Sequence, residues 1–109
     1  MFDIDFRPVF TRPVRVVIPS GGSTIQQSFS ASFEALDIPE FVGFALDTPQ
    51  GAKAFLERVL VGTDDIVGSA GVAIEFSLEL RDRLIAKPWT RQGLVEAYLR
   101  GFERAAEGN

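Results

Sequence analysis

The spacing of apolar residues changes period along this chain, and that change limits the fold more than any single residue does. Through residue 36 apolar and polar side chains alternate in twos, as in half-buried strands; from residue 39 to 106 apolar residues recur every three or four positions, as on one helix face. Strands first and helices after point to an α+β domain rather than a parallel βαβ fold. The 109 residues, 46% of them hydrophobic, suffice to bury one core, so residues 1–109 read as a single domain.

Phe2, Ile4 and Phe6 alternate with Asp3, Asp5 and Arg7, which predicts a short strand that Pro8 ends by removing a ladder donor. Val14, Val16 and Ile18 repeat the alternation. Pro19-Ser20-Gly21-Gly22-Ser23 supplies turn chemistry, and Ile25, Phe29, Ala31 and Phe33 return with Ser28, Ser30 and Ser32 opposite. The expected architecture is a small antiparallel sheet, made of this hairpin and a flanking strand, packed against C-terminal helices. After Pro39, Phe41, Phe44 and Ala45 share one face of a two-turn helix. Asp47 or Thr48 caps the next helix, Pro49 suits its first turn, Ala52, Phe55, Leu56, Val59 and Leu60 line its inner side, and Gly62 is expected to stop it. Gly68-Ser69-Ala70-Gly71 reads as a loop tip, with Val72, Ile74 and Phe76 as a short strand in a β-like insert near 66–76. Ser77 caps a helix bearing Leu80, Leu84 and Ile85, and Pro88 separates it from a last helix running from about Trp89 to Ala106. There Val95, Tyr98, Leu99, Phe102 and Ala106 form the apolar stripe, and Glu96 and Arg100 stand in the favourable i,i+4 order. Glu107-Gly108-Asn109 reads as a frayed end.

Ten phenylalanines stand against no histidine and no cysteine. Phe brings contact area without a reactive group, whereas most general bases, thiol nucleophiles and transition-metal sites need the two missing residue types. A net charge of −4 argues against a sequence-independent grip on nucleic-acid phosphates or a membrane surface. The opening MFDIDFRPVF has early acids and no long apolar run, which predicts an intracellular protein with neither signal peptide nor membrane anchor.

Asp64, Asp65 and Glu75 match the span of a calcium loop, but Ile66, Gly68 and Ser69 stand where that loop needs two oxygen ligands and a glycine. Gly21-Gly22 lacks the downstream Gly-Lys-Ser/Thr of a phosphate loop and reads as the hairpin turn. Asp82 between Arg81 and Arg83 reads as an exposed charge run, Lys53 and Lys87 as surface charge. No catalytic, metal or cofactor-binding residue is expected; an enzyme built on carboxylate or lysine chemistry would require a deep polar pocket. The candidate partner-binding residues are Trp89, Val95, Tyr98, Leu99 and Phe102, because Trp and Tyr combine large contact area with a polar handle. If exposed, they make the last helix a surface for a helical partner or a homo-oligomer; if buried, they close the sheet against the helices.

Several patterned positions occur together: Phe2-x-Ile4 with Pro8-Val9-Phe10, the Val14-to-Pro19 strand, Ser28-Phe29-x-Ala31-x-Phe33, Thr48-Pro49-x-Gly51, and Asp64-Asp65-Ile66. Leu80-x-Asp82-x-Leu84 and Pro88-Trp89 before a terminal amphipathic helix complete the set. In this order, over nearly the whole chain, it resembles the phage tail assembly chaperones, small proteins encoded beside the tail tube and tape-measure genes of long-tailed phages. The resemblance implies a non-enzymatic phage or prophage protein of the bacterial cytoplasm. Such a protein keeps the tape-measure protein soluble, helps recruit tail tube protein, needs no nucleotide and is absent from the finished tail. The alternative is a structural virion component, such as a tail terminator or head-tail connector subunit.

Overall fold

Two twelve-residue strands, β1 (Val9–Ser20) and β2 (Ser23–Glu34), pair antiparallel along their whole length in the computed structural model, which describes residues 1–106 and side chains as far as Phe102. Gly21-Gly22 closes them, and Gly21 takes φ 59°, a left-handed conformation that a residue without Cβ adopts freely. Val14, Val16, Phe29, Ala31 and Phe33 face the helices and are buried, while Ser28, Ser30 and Ser32 lie on the opposite face. One covered and one wetted face is the usual condition of an antiparallel sheet. The paired strands draw the molecule out to 50 × 29 × 29 Å.

The helices begin and end largely where the sequence places them. The Thr48 hydroxyl accepts the Gly51 N–H at 3.0 Å to cap α2 (Pro49–Val59). Ser77 accepts the Leu80 N–H at 3.1 Å to cap α3 (Leu78–Ala86), and Pro88 opens α4 (Pro88–Ala106). Ahead of α2, α1 (Ile38–Phe41) makes one turn rather than the two expected, yet Phe41 and Phe44 still meet the same ring, Phe55, at 5.7 and 5.6 Å between centroids. Among the described residues Glu96 accepts a hydrogen bond from Gln92 at 3.4 Å and not from Arg100. The Ala106 side chain and Glu107-Gly108-Asn109 lie outside the described residues.

Three strand expectations need correction. The third strand is β3 (Leu60–Asp64), which follows α2 at once and pairs antiparallel with β2, giving the order β1-β2-β3. Gly62 therefore sits inside a strand, opposite Ser32, and does not stop the helix. Residues 1–7 form no strand: the Asp3 carboxylate accepts the Asp5 N–H at 3.0 Å, and its carbonyl accepts the Phe6 N–H at 3.2 Å. This local turn leaves Phe2, Ile4 and Phe6 85%, 82% and 68% exposed. Alternation supplies a face, but a strand also needs a ladder neighbour, and the Asp side chain offers the backbone a local partner instead. Val72 to Phe76 likewise shrinks to a single bridge, Val67 to Ala73, with the Ile74 N–H donating to the Ile66 carbonyl at 2.8 Å.

The core explains the phenylalanine count. Tyr98 on α4 is 1% exposed and meets five rings: Phe55 at 4.8 Å, Phe102 at 5.2 Å, Phe10 at 5.4 Å, Phe33 at 5.7 Å and Phe41 at 6.1 Å. Its hydroxyl accepts the Leu36 N–H at 3.0 Å, satisfying a chain segment that has left the sheet. Strand, loop and helix thus converge on one side chain, beside buried Leu56, Val59, Leu94 and Ala97.

Candidate partner-binding groove

Pro88 makes the corner on which the site is built. A residue before proline is driven out of the helical region, and Lys87 is extended, at φ −96°, ψ 124°, so α3 ends and α4 starts in a new direction. Thr90 fastens the corner. Its buried hydroxyl lies within hydrogen-bonding distance of the Leu84 carbonyl and, at 3.1 Å, of the Lys87 carbonyl, which also accept the backbone N–H groups of Lys87 and Arg91 at 3.4 and 2.9 Å.

The corner places half-buried Trp89 near Leu80 and Leu84, which form one wall of a groove. Val16 and Ile18 of β1 and Phe29 of β2 form the second wall. The third comes from the segment after β3, where the bridge described above holds Ile66 and Ile74 together. The groove, open on one side, has a volume of about 550 Å³, within the roughly 300–1,000 Å³ of sites that take a ligand or a partner's side chains. Two cations, Arg83 and Lys87, stand on the rim with Asp65, and among the described residues neither cation forms an ion pair. Asp65 has φ 65°, a conformation that Asp tolerates better than most side chains and that turns the chain over the groove's edge.

The walls carry no nucleophile paired with a base, and the one buried hydroxyl is committed to carbonyl groups. What they offer is the exposed part of half-buried Ile18, Ile66, Ile74 and Trp89, behind which Val16, Phe29, Leu80 and Leu84 belong to the core, with positive charge at the border, an arrangement suited to an apolar segment that carries acids.

The sequence-derived candidates do not gather in one place. Trp89 lines the groove. Val95 lies in a separate, shallower cleft of about 260 Å³ beside Leu46 and Ala52. Tyr98 closes the sheet against the helices and offers no surface to a partner. Leu99 and Phe102 are 39% and 44% exposed, with Phe102 leaning on Phe10 at 5.4 Å between centroids. Ile18, Ile66, Ile74, Arg83 and Lys87 were not singled out as partner-binding by the sequence. They come from three separate segments, and only the folded chain assembles them.

The displaced ionisable groups lie outside the groove. Hydrogen bonds to Glu40 at 2.7 Å and Glu34 at 3.3 Å hold the Arg58 guanidinium above its ordinary pKa, tying α2 to α1 and to the end of β2. Burial raises the Tyr98 phenol above its ordinary 10.0, opposed in part by the Leu36 N–H. Both are structural ties. Asp64 and Asp65 are exposed, and among the described residues no group of three or more acids is placed to hold a metal ion. Asp82 pairs with its neighbour Arg81 at 3.0 Å, and Arg81 also donates to the Glu57 carbonyl at 3.3 Å, so this charge run fastens α3 to α2. Among the described residues no helix is long and apolar enough to cross a membrane. Neither a protein-family model, nor a curated protein, nor a solved structure matches the chain.

Proposed function

We propose that this protein is a non-catalytic assembly chaperone of phage or prophage tails, which binds tape-measure protein, tail tube protein or both through apolar surface in the cytoplasm of the bacterial host. The observation that carries the reading is the groove of about 550 Å³ walled by Trp89, Leu80, Leu84, Ile18, Ile66 and Ile74. Its support is the resemblance in residue pattern set out above, together with walls that provide contact area and no reactive groups.

The physics suits the task. A long amphipathic helix awaiting assembly exposes an apolar stripe that associates with others of its kind, and a small acidic protein covering that stripe raises its solubility while remaining displaceable. Arg83 and Lys87 at the rim would fix the register of acids flanking the stripe, a contact that salt weakens.

Co-expression with a tape-measure protein of the same phage or prophage tests this. The expected result is co-purification and a several-fold rise in the soluble fraction of that partner, both reduced by Trp89→Ala. Absence of binding together with unchanged partner solubility would overturn the proposal, and stoichiometric retention in purified particles would assign the chain to the virion instead.

A further inference from the structure

Two features are left unsatisfied by the monomer: an exposed arm, Met1–Arg7, in which apolar and acidic residues alternate from Phe2 to Phe6, and an apolar groove rimmed by two cations that form no ion pair among the described residues. We propose that they satisfy each other between two copies of the chain, the arm of one protomer lying in the groove of its partner with Phe2, Ile4 and Phe6 inward and Asp3 and Asp5 toward Arg83 and Lys87. The inference rests on the groove being a docking surface and is independent of which tail protein it serves.

The charge pattern is complementary. In a chain of net charge −4, the groove border presents Arg83 and Lys87 against the single acid Asp65, and the arm presents Asp3 and Asp5 on the face opposite its apolar side chains. An extended strand puts those two sets on opposite sides, so one can enter an apolar trough while the other meets its border. The local turn at Asp3, held by two backbone donors, is a small structure to open in exchange.

Reach decides between the chain's own groove and a partner's. The arm leaves β1 at Val9, and seven residues span at most about 25 Å. The groove's near end is Phe29, opposite Val14 and five residues further along the sheet, roughly 17 Å away at a rise of about 3.3 Å per residue, and Ile18 at its far end is roughly 30 Å away. After reversing direction, only the first residues of an arm could touch its own groove's near end, and Phe6 could not enter. A second copy has no such constraint, and a two-fold arrangement repeats the contact in both directions.

Sedimentation of the full chain over a wide concentration range is the test, in low and high salt. The expected result is a monomer–dimer equilibrium that deletion of residues 2–6 weakens at least tenfold. The same loss is expected from the arm variant Asp3→Lys/Asp5→Lys and from the rim variant Arg83→Glu/Lys87→Glu, each alone. Mixing the two charge-reversed variants should restore a mixed dimer, because each arm then faces a groove of opposite sign; a mere loss of fold would not be rescued in this way. A monomer at every concentration, or a dimer indifferent to the arm deletion, would overturn the proposal. Tail-protein binding that persists in the arm-deleted chain would separate its failure from that of the groove.

Discussion

Tyr98 shows how much one position can hold. It is the chain's single tyrosine, and replacing it with Phe keeps the ring contacts but removes the acceptor for the Leu36 N–H, a loss of about 1 kcal/mol if water partly compensates. Because burial raises its pKa above 10.0, the folded state holds the phenolic proton at pH values where the unfolded chain has released it. The stabilisation is complete below pH 10.0 and is lost as pH rises through the raised folded-state value, at up to about 1.4 kcal/mol per pH unit. Absorbance titration of the lone phenol should give a midpoint above 10.0 that coincides with alkaline unfolding; a midpoint at or below 10.0 in the folded protein would contradict the burial described. Gly93 is the second such residue. A Cβ there would stand 2.6 Å from the Arg15 carbonyl oxygen, so Gly93→Ala must push α4 off β1. Despite the better helix propensity of Ala, the variant is expected to lose about 1–3 kcal/mol in urea unfolding, the range of overpacked contacts.

Secondary-structure elements differ in how far the sequence announces them. The hairpin is legible because turn chemistry and alternation agree from Val14 to Phe33, and the α3–α4 corner because Pro88, following a helical apolar pattern, drives Lys87 out of the helical region. β3 is hidden: Val59-Leu60-Val61 continues the apolar run of α2, Gly62 resembles a helix stop, and what makes the segment a strand is its neighbour β2. The arm errs in the opposite direction, with strand spacing and no strand neighbour among the described residues. Groove walls are legible only at Trp89, since Ile18, Ile66 and Ile74 acquire a common purpose through tertiary packing. β1 is also an outer strand, and Pro13 and Pro19, of equal parity, leave their missing N–H groups on its open side. Replacing both with Thr would restore two donors to that edge and is expected to increase aggregation on heating, measured by light scattering, with little change in the urea midpoint. The cap is simpler. Ser77→Ala should cost about 1 kcal/mol and loosen the groove wall that α3 forms.

At the scale of the whole molecule, the long hairpin, the α3–α4 corner and the segment after β3 frame a trough whose floor is aliphatic and aromatic, while the ionisable groups most perturbed by their surroundings are spent on holding the frame together. Function on this account is coverage of a partner's apolar stripe. The chain's only tryptophan lies in the trough, so its emission reports occupancy directly. The decisive measurement is a fluorescence titration of the arm-deleted protein, whose groove no second copy can fill, with a tryptophan-free amphipathic helical segment of the tape-measure protein. The account predicts a saturable shift of emission to shorter wavelength, weakened by Arg83→Glu/Lys87→Glu and by added salt. Emission that stays unchanged while the same segment binds by an independent measure such as calorimetry would place the partner elsewhere and contradict the central claim.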